Sequence, residues 1–293
     1  MMKRYNILIT GGNGMLASHI KSIFTKKTSH QIYCLGRQEC DITEKVQLEE
    51  VVNKHHIDII INTAAYTAVD LAETEKEAAD KINHLGVQNI AQVANNNDIQ
   101  VIHISTDYVF DGKQSSPIKE EEPTHPLSVY GQTKRDGELA LQKQHSKSII
   151  IRTSWLYDGT HPNFFTTMKR LGGEKKEISV VNDQFGTPTY APDLANAIRT
   201  IITHWSNGNN PNYDIYHYSG EGIASWYDFA QEIFFKLAIP CAIHPVSTEQ
   251  FVRPAQRPKF AVLDKNKIKY TFGIKIPTWR ESLQTCIEQD NLD

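Results

Sequence analysis

With 293 residues, 40% of them apolar and 22% charged, and a net charge of −3, the chain is long enough to bury a sizeable core and has an ordinary globular make-up. No basic cluster exceeds Lys175-Lys176, which leaves nucleic-acid binding without electrostatic support, and no apolar run reaches the length of a membrane span. The cysteines at 34, 40, 241 and 286 show no CxxC spacing, and the apolar run at 7–9 is too short for a signal peptide, so the chain reads as cytoplasmic with reduced thiols.

Residues 5–10 read as a buried strand and 15–24 carry helical periodicity. Between them, Gly11-x-x-Gly14-x-x-Ala17 forms a glycine-rich strand-to-helix turn, where backbone N–H groups and a helix N-terminus can hold a pyrophosphate. A turn that merely connects two elements is the alternative; its place between the first strand and first helix favours binding. Residues 31–35 make a second strand that ends in Gly36-Arg37. A site for NAD usually has an acid here, whereas Arg37 suits a 2′-phosphate, so NADPH is expected and NADH stays open. A solvated surface arginine is the competing reading.

Asp41-Ile42-Thr43 leads into a helix ending near Lys54, with Thr43 as a candidate N-cap. Strand 58–62 is followed by Thr63, Ala64 and Ala65, small enough for a ligand to approach the backbone. Residues 68–96 read as helix, on which Asn83 and Asn89 are expected to bond loop backbone. The apolar strand 100–105 delivers Ser105-Thr106-Asp107 at its carboxyl end. The acidic, proline-rich stretch 111–126 reads as a solvated loop. On helix 128–143, Tyr130 and Lys134 lie one turn apart on one face. A nearby cation favours a phenolate, and a tyrosine so tuned can exchange a proton with a carbonyl oxygen near neutral pH. Strand 148–152 follows.

This alternation predicts an α/β fold, a doubly wound, Rossmann-like parallel sheet with right-handed crossovers. Beyond Trp155 the pattern weakens: helix 163–172, strand 178–181, loop 183–189, helix 192–204, strand 213–218, helix 225–237 with Ser225 as N-cap, the extended segment 253–258, and a helix from Trp279. The expected organisation is a dinucleotide-binding domain over 1–155, to which the helix near 192–204 returns, and a smaller mixed α/β substrate-binding domain over 156–293.

The ordered strings NTAAYTAVDLAE (62–73), ISTDYVFDG (104–112), VYGQTKRDGE (129–138), IRTSWLY (151–157), NDQFGTPT (182–189) and RPAQRPKFAVLD (253–264) resemble the dTDP-4-dehydrorhamnose reductase family of extended short-chain dehydrogenases/reductases over nearly the whole chain. The resemblance implies a catalytic set of Thr106, Tyr130 and Lys134. Tyr130 would protonate the sugar C4 oxygen, Thr106 would hydrogen-bond it, and Lys134 would hold the nicotinamide ribose and keep the Tyr130 pKa low. It implies Gly11, Gly14, Met15 and Leu16 at the pyrophosphate, Asp41 and Ile42 beside adenine, and Ala64, Ala65, Tyr66 and Thr67 along the middle of the cofactor. Asp107 and Trp155 would contact the nucleotide-sugar substrate, expected to be dTDP-linked. Core packing for Trp155 and loop capping for Asp107 are the plain alternatives. Ala17 replaces a common glycine, and Ala261 a common serine. Pro192 stands where some members carry a glutamate that binds magnesium between subunits, so a homodimer remains an option but no metal ligand is assigned. A related epimerase, or a non-catalytic subunit similar to the methionine adenosyltransferase beta subunit, is the rival function. A dehydratase is disfavoured, because Tyr108 cannot replace the glutamate base.

Overall fold

The computed structural model describes residues 3–290. Strands β1 (Asn6–Thr10), β2 (Gln31–Leu35), β3 (Ile59–Asn62), β4 (Gln100–Thr106) and β5 (Ser148–Thr153) alternate with helices α1 (Met15–Lys27), α2 (Lys45–His55), α3 (Lys76–Asp80), α4 (Gly86–Asn96) and α5 (Val129–Gln144). There follow β6 (Leu156–Tyr157), α6 (Phe164–Glu174), β7 (Glu177–Val181), β8 (Phe185–Gly186), β9 (Thr189–Tyr190), α7 (Ala191–Ser206), β10 (Ile215–His217), β11 (Ala224–Ser225), α8 (Trp226–Lys236), β12 (Ala242–Val246), α9 (Asn266–Phe272) and α10 (Trp279–Asp290).

The main sheet runs β10-β5-β4-β3-β1-β2, all pairs parallel. Its central strands are nearly continuous Ile and Val, as a sheet covered on both faces requires. One face packs Ile7, Ile9, Ile61 and Ile102 against α1 and α7; the other packs Leu8, Ile60 and Val101 against α2 and α4. Strand order reverses between β1 and β3, so the carboxyl ends of those two strands open a crevice. α7 joins the core of the first face through Leu194, Ile198 and Ile201, and β10 completes the sheet. A second core gathers Tyr157, Phe165, Phe229, Ile233, Trp279 and Leu283, from α6, α8, α10 and neighbouring strands. No helix among the described residues is long and apolar enough to cross a membrane.

Four local expectations change. Stretch 68–96 is not one helix: a 3₁₀ turn over Leu71–Glu73 precedes α3, and a π-helical turn over Lys81–Leu85 joins α3 to α4. Thr43 does not cap α2, which starts after Glu44; Asp41 Oδ1 instead accepts from Thr43 N, turning the chain two residues earlier. Loop 183–189 contains β8 and the start of β9, two-residue strands too short for periodicity to register. In the acidic stretch 111–126, Glu120 is 8% exposed rather than solvated, because its Oε1 accepts from His217 N of β10.

Candidate active site

The carboxyl edge of the sheet opens on one large cleft, with a cavity volume of about 960 Å³. Its floor at the crevice is made of backbone. Gly11 has φ +67°, and a Cβ there would sit 2.8 Å from Ala64 Cα, so glycine is needed for the β1 and β3 loops to meet. Gly14 N donates to Gly11 O at 2.8 Å and then caps α1 with extended backbone and no side-chain bond. The first-turn N–H groups of α1 thus have no side-chain cap, which is what a pyrophosphate group requires. The residues fit a dinucleotide on that ground.

The expected residues converge. Gly11, Gly14, Met15, Leu16, Arg37, Asp41, Ile42, Ala64, Ala65 and Thr67 line the cleft on one side. Thr106, Asp107, Tyr130, Lys134 and Trp155 line its continuation. Tyr66 alone does not. Its hydroxyl donates to Glu75 Oε2 at 2.7 Å, and only its backbone is tied to the site, by the Asn83 amide, which accepts from Tyr66 N and donates to Tyr66 O. Asn83 and Asn89 thus bond loop backbone as expected, Asn89 donating to Ile42 O. Arg37 is exposed and donates to Asp41 Oδ2 at 2.9 Å.

Helix α5 is fixed to the sheet with little freedom. Ser128 caps it, accepting from Gly131 N, which places Tyr130 in the first turn and Lys134 in the second. A Cβ at Gly131 would come 2.2 Å from Tyr108 O, and one at Gly137 would come 2.1 Å from Asn83 O. Farther along, Glu138 receives two guanidinium N–H groups of Arg152 in β5, at 3.0 and 2.7 Å, with both side chains 3% exposed.

The ionisable groups at the end of β4 are displaced from their usual ranges. Burial lowers the Lys134 ammonium to about 8, with Glu138 opposing. Burial raises the Asp107 carboxyl to about 7 against the hydrogen bond from Thr106, and Asp107 Oδ2 has no partner. Burial also pushes the Tyr130 phenol up to about 12, against a hydrogen bond with Thr106 that lowers it. The expected Lys134-depressed tyrosine is therefore not found. Lys134 Nζ donates to Ile104 O at 2.7 Å and lies 3.5 Å from His103 Nε2, so its charge is spent below the phenol. At neutral pH Tyr130 holds its proton.

His103 belongs to a polar row that the sequence reading passed over. Strand register sets Thr10, Asn62 and His103 side by side on β1, β3 and β4. Asn62 Oδ1 accepts from Thr10 Oγ1 at 2.6 Å and Ala64 N at 3.2 Å, which turns its Nδ2 toward His103 Nδ1 at 2.9 Å. His103 Nδ1 is then the acceptor, and the imidazole proton sits on Nε2, facing Lys134. The available signal was a lone polar residue inside an apolar strand, at the register of Asn62.

Trp155 has φ +47° and stacks on Trp226 at 3.6 Å between ring centroids, both lining the cleft. Strained backbone on a large aromatic marks a held position rather than passive packing. The three positions that depart from the resemblance are built into the frame: Ala17 is buried in α1, Pro192 lies in the first turn of α7, and Ala261 N donates to Phe185 O at 2.7 Å.

A parallel nucleotide-binding sheet with a glycine turn at the switch point, and a Thr–Tyr–Lys set at the end of β4 and on α5, defines an extended short-chain dehydrogenase/reductase. The model of the RmlD substrate binding domain matches residues 5–292. A dTDP-4-dehydrorhamnose reductase from Aggregatibacter actinomycetemcomitans is 38% identical over 95% of this chain and 97% of its own length. The solved dTDP-4-dehydrorhamnose reductase of Bacillus anthracis, in complex with NADP, is 37% identical with a TM-score of 0.92, covering 98% of this chain and 100% of that one. The ortholog from Clostridium acetobutylicum is 40% identical, also at 0.92, covering 97% and 99%. The chain belongs to the dTDP-4-dehydrorhamnose reductase family.

Proposed function

We propose that this protein uses NADPH to reduce the C4 ketone of dTDP-4-dehydro-L-rhamnose to dTDP-L-rhamnose, a precursor for surface polysaccharide. The observation that carries the reading is that Thr106, Tyr130 and Lys134 line one cleft with the uncapped N-terminus of α1. With the phenol raised to about 12, Tyr130 carries its proton at neutral pH and has one to give to a ketone oxygen.

In this reading a bound dihydronicotinamide supplies the hydride. Tyr130 gives its proton to the C4 oxygen, and Thr106 hydrogen-bonds the same oxygen and orients it. Lys134 holds the nicotinamide ribose. Gly11, Gly14, Met15 and Leu16 offer backbone to the pyrophosphate, Asp41 and Ile42 flank adenine, and Ala64, Ala65, Tyr66 and Thr67 line the middle of the dinucleotide. Arg37 turns from Asp41 to the 2′-phosphate, a bidentate match for a guanidinium. Asp107 and Trp155 contact the sugar nucleotide. We assign 1–155, with α7, β10 and α9, which share its sheet and core, to dinucleotide binding and the remainder of 156–293 mainly to the substrate.

The test is NADPH oxidation by the purified protein with dTDP-4-dehydro-L-rhamnose. Consumption that requires both reagents supports the reading; retained binding of both without turnover overturns it in favour of a non-catalytic role.

A further inference from the structure

His19 lies one turn into α1, and Asp158 and His161 lie on the loop between β6 and α6, 139 and 142 positions away in sequence by residue number. The fold brings them together outside the catalytic set. His19 Nε2 is 2.8 Å and His161 Nδ1 2.6 Å from the same oxygen, Asp158 Oδ2. One nitrogen from each imidazole and one carboxylate oxygen all lie within 4.8 Å of one another. We propose that His19, Asp158 and His161 form a binding site for one divalent transition-metal ion of the zinc type, a site that ties α1 to the wall of the cleft.

The chemistry of the donors selects the ion. Two imidazoles and one carboxylate suit zinc and its neighbours, whereas magnesium and calcium take mostly oxygen. Asp158 is also prepared as a ligand. Its side chain is 2% exposed, and among the described residues it has no lysine or arginine partner, only the two imidazoles. The other oxygen, Oδ1, is already committed: it accepts from Thr160 N at 3.1 Å, His161 N at 2.8 Å and Asn163 Nδ2 at 3.2 Å. That outer shell fixes the carboxylate and leaves Oδ2 toward the imidazoles.

The adjustment needed is small. Metal–ligand bonds of about 2.0–2.1 Å in a tetrahedron separate donor atoms by roughly 3.3 Å, so each imidazole withdraws from Oδ2 by about half an ångström. Both can do so, since His19 is 27% and His161 30% exposed. Three protein ligands leave a fourth position for water or a ligand oxygen on that exposed side. His161 and Asn163 line the cleft, and α1 begins at its glycine turn, so the ion clamps one wall of the nucleotide site to its floor.

The experiment is zinc titration of the tag-free, metal-stripped full chain by calorimetry, with cobalt(II) absorption as the geometry probe. The expected result is one zinc per chain, ligand-field bands of four-coordinate cobalt, and a rise in Tm on adding zinc. His19→Gln and His161→Gln, both at partly exposed positions that leave the Asp158 loop bonds intact, should each weaken zinc at least about 100-fold. Asn163→Leu, which removes the bond to Asp158 Oδ1 together with the N-cap of α6, should cost about 10–100-fold. Zinc binding unchanged in the His19→Gln/His161→Gln double variant, or no saturable binding by the wild type, overturns the proposal and reduces the cluster to a hydrogen-bonded clasp. None of these readouts depends on the reductase reading.

Discussion

Replacing Lys134 by methionine should change how stability depends on pH, in a direction set by burial. The folded chain binds the Lys134 proton with a pKa of about 8, the unfolded chain with the ordinary 10.5. Between those values the unfolded state carries more protons, so unfolding free energy climbs with pH. At 1.36 kcal/mol per pH unit, the gap amounts to about 3 kcal/mol, borne in full below about pH 8 and relieved by about pH 10.5. Methionine occupies a similar volume and has no proton to lose. The wild-type-minus-variant stability should therefore shift toward the wild type by about 3 kcal/mol between pH 7 and pH 10.5, with about 2 kcal/mol of it between pH 8 and 9.5. Loss of the bond to Ile104 O offsets the two curves by a constant, roughly 1–3 kcal/mol, and leaves the slope untouched. Urea denaturation of both proteins across this range, followed by tryptophan fluorescence, measures the difference, and groups common to both cancel. A difference flat to within about 0.5 kcal/mol would mean that the ammonium is solvated or fully paired, and burial could then not be what displaces the groups at the end of β4.

Tyr130→Phe should lower kcat by about 10²–10⁴-fold while NADPH still binds, as expected for a general acid; turnover near that of the wild type removes the assigned role. Arg37→Ala should weaken NADPH more than NADH in fluorescence titrations, and equal losses would defeat the 2′-phosphate assignment. Glu138→Gln strands the Arg152 guanidinium in the interior and should cost about 3–5 kcal/mol in urea unfolding; a loss below about 1 kcal/mol would show that the pair does not hold α5. Gly137→Ala should destabilise by about 1–3 kcal/mol despite alanine's better helix propensity, since its Cβ would meet Asn83 O at 2.1 Å, and a neutral result would deny the close approach.

The strands of the main sheet and the helices between them were legible because burial on both faces writes long Ile/Val runs and amphipathic stripes into the chain. β1, β2 and β4 fall within a residue of expectation. β12 and α9 were not anticipated. β12, Ala-Ile-His-Pro-Val, pairs only with β7 at an edge and is mostly exposed, so neither alternation nor a continuous apolar run announces it. The π-helical turn at Lys81–Leu85 is likewise invisible to a 3.6-residue period, yet it joins the two helices where Asn83 grips Tyr66. In the site, the residues expected from motif spacing and from the resemblance line the cleft except the Tyr66 side chain, while Trp226, Phe164 and His161 of its wall were not expected. Motif spacing could not give the Thr10–Asn62–His103 row, because each member is unremarkable alone and only strand register makes them neighbours.

The electrostatics of Tyr130 depart furthest from what four-residue spacing suggests. Spacing argues for a phenol acidified by its neighbour, whereas the fold buries both groups and turns the amine toward Ile104 O and His103. The result is a triad of displaced groups at the end of β4: a phenol too weakly acidic to ionise, a carboxyl near 7 with one free oxygen, and an amine near 8. Each is held against its own hydration, and the restraint comes from elsewhere, in the Glu138–Arg152 pair and the glycines that bring α5 onto the loops. Such a site keeps its protons until a sufficiently basic group lies beside it. Burial thus keeps the Tyr130 phenol protonated, and Lys134, turned to Ile104 O, does not lower it.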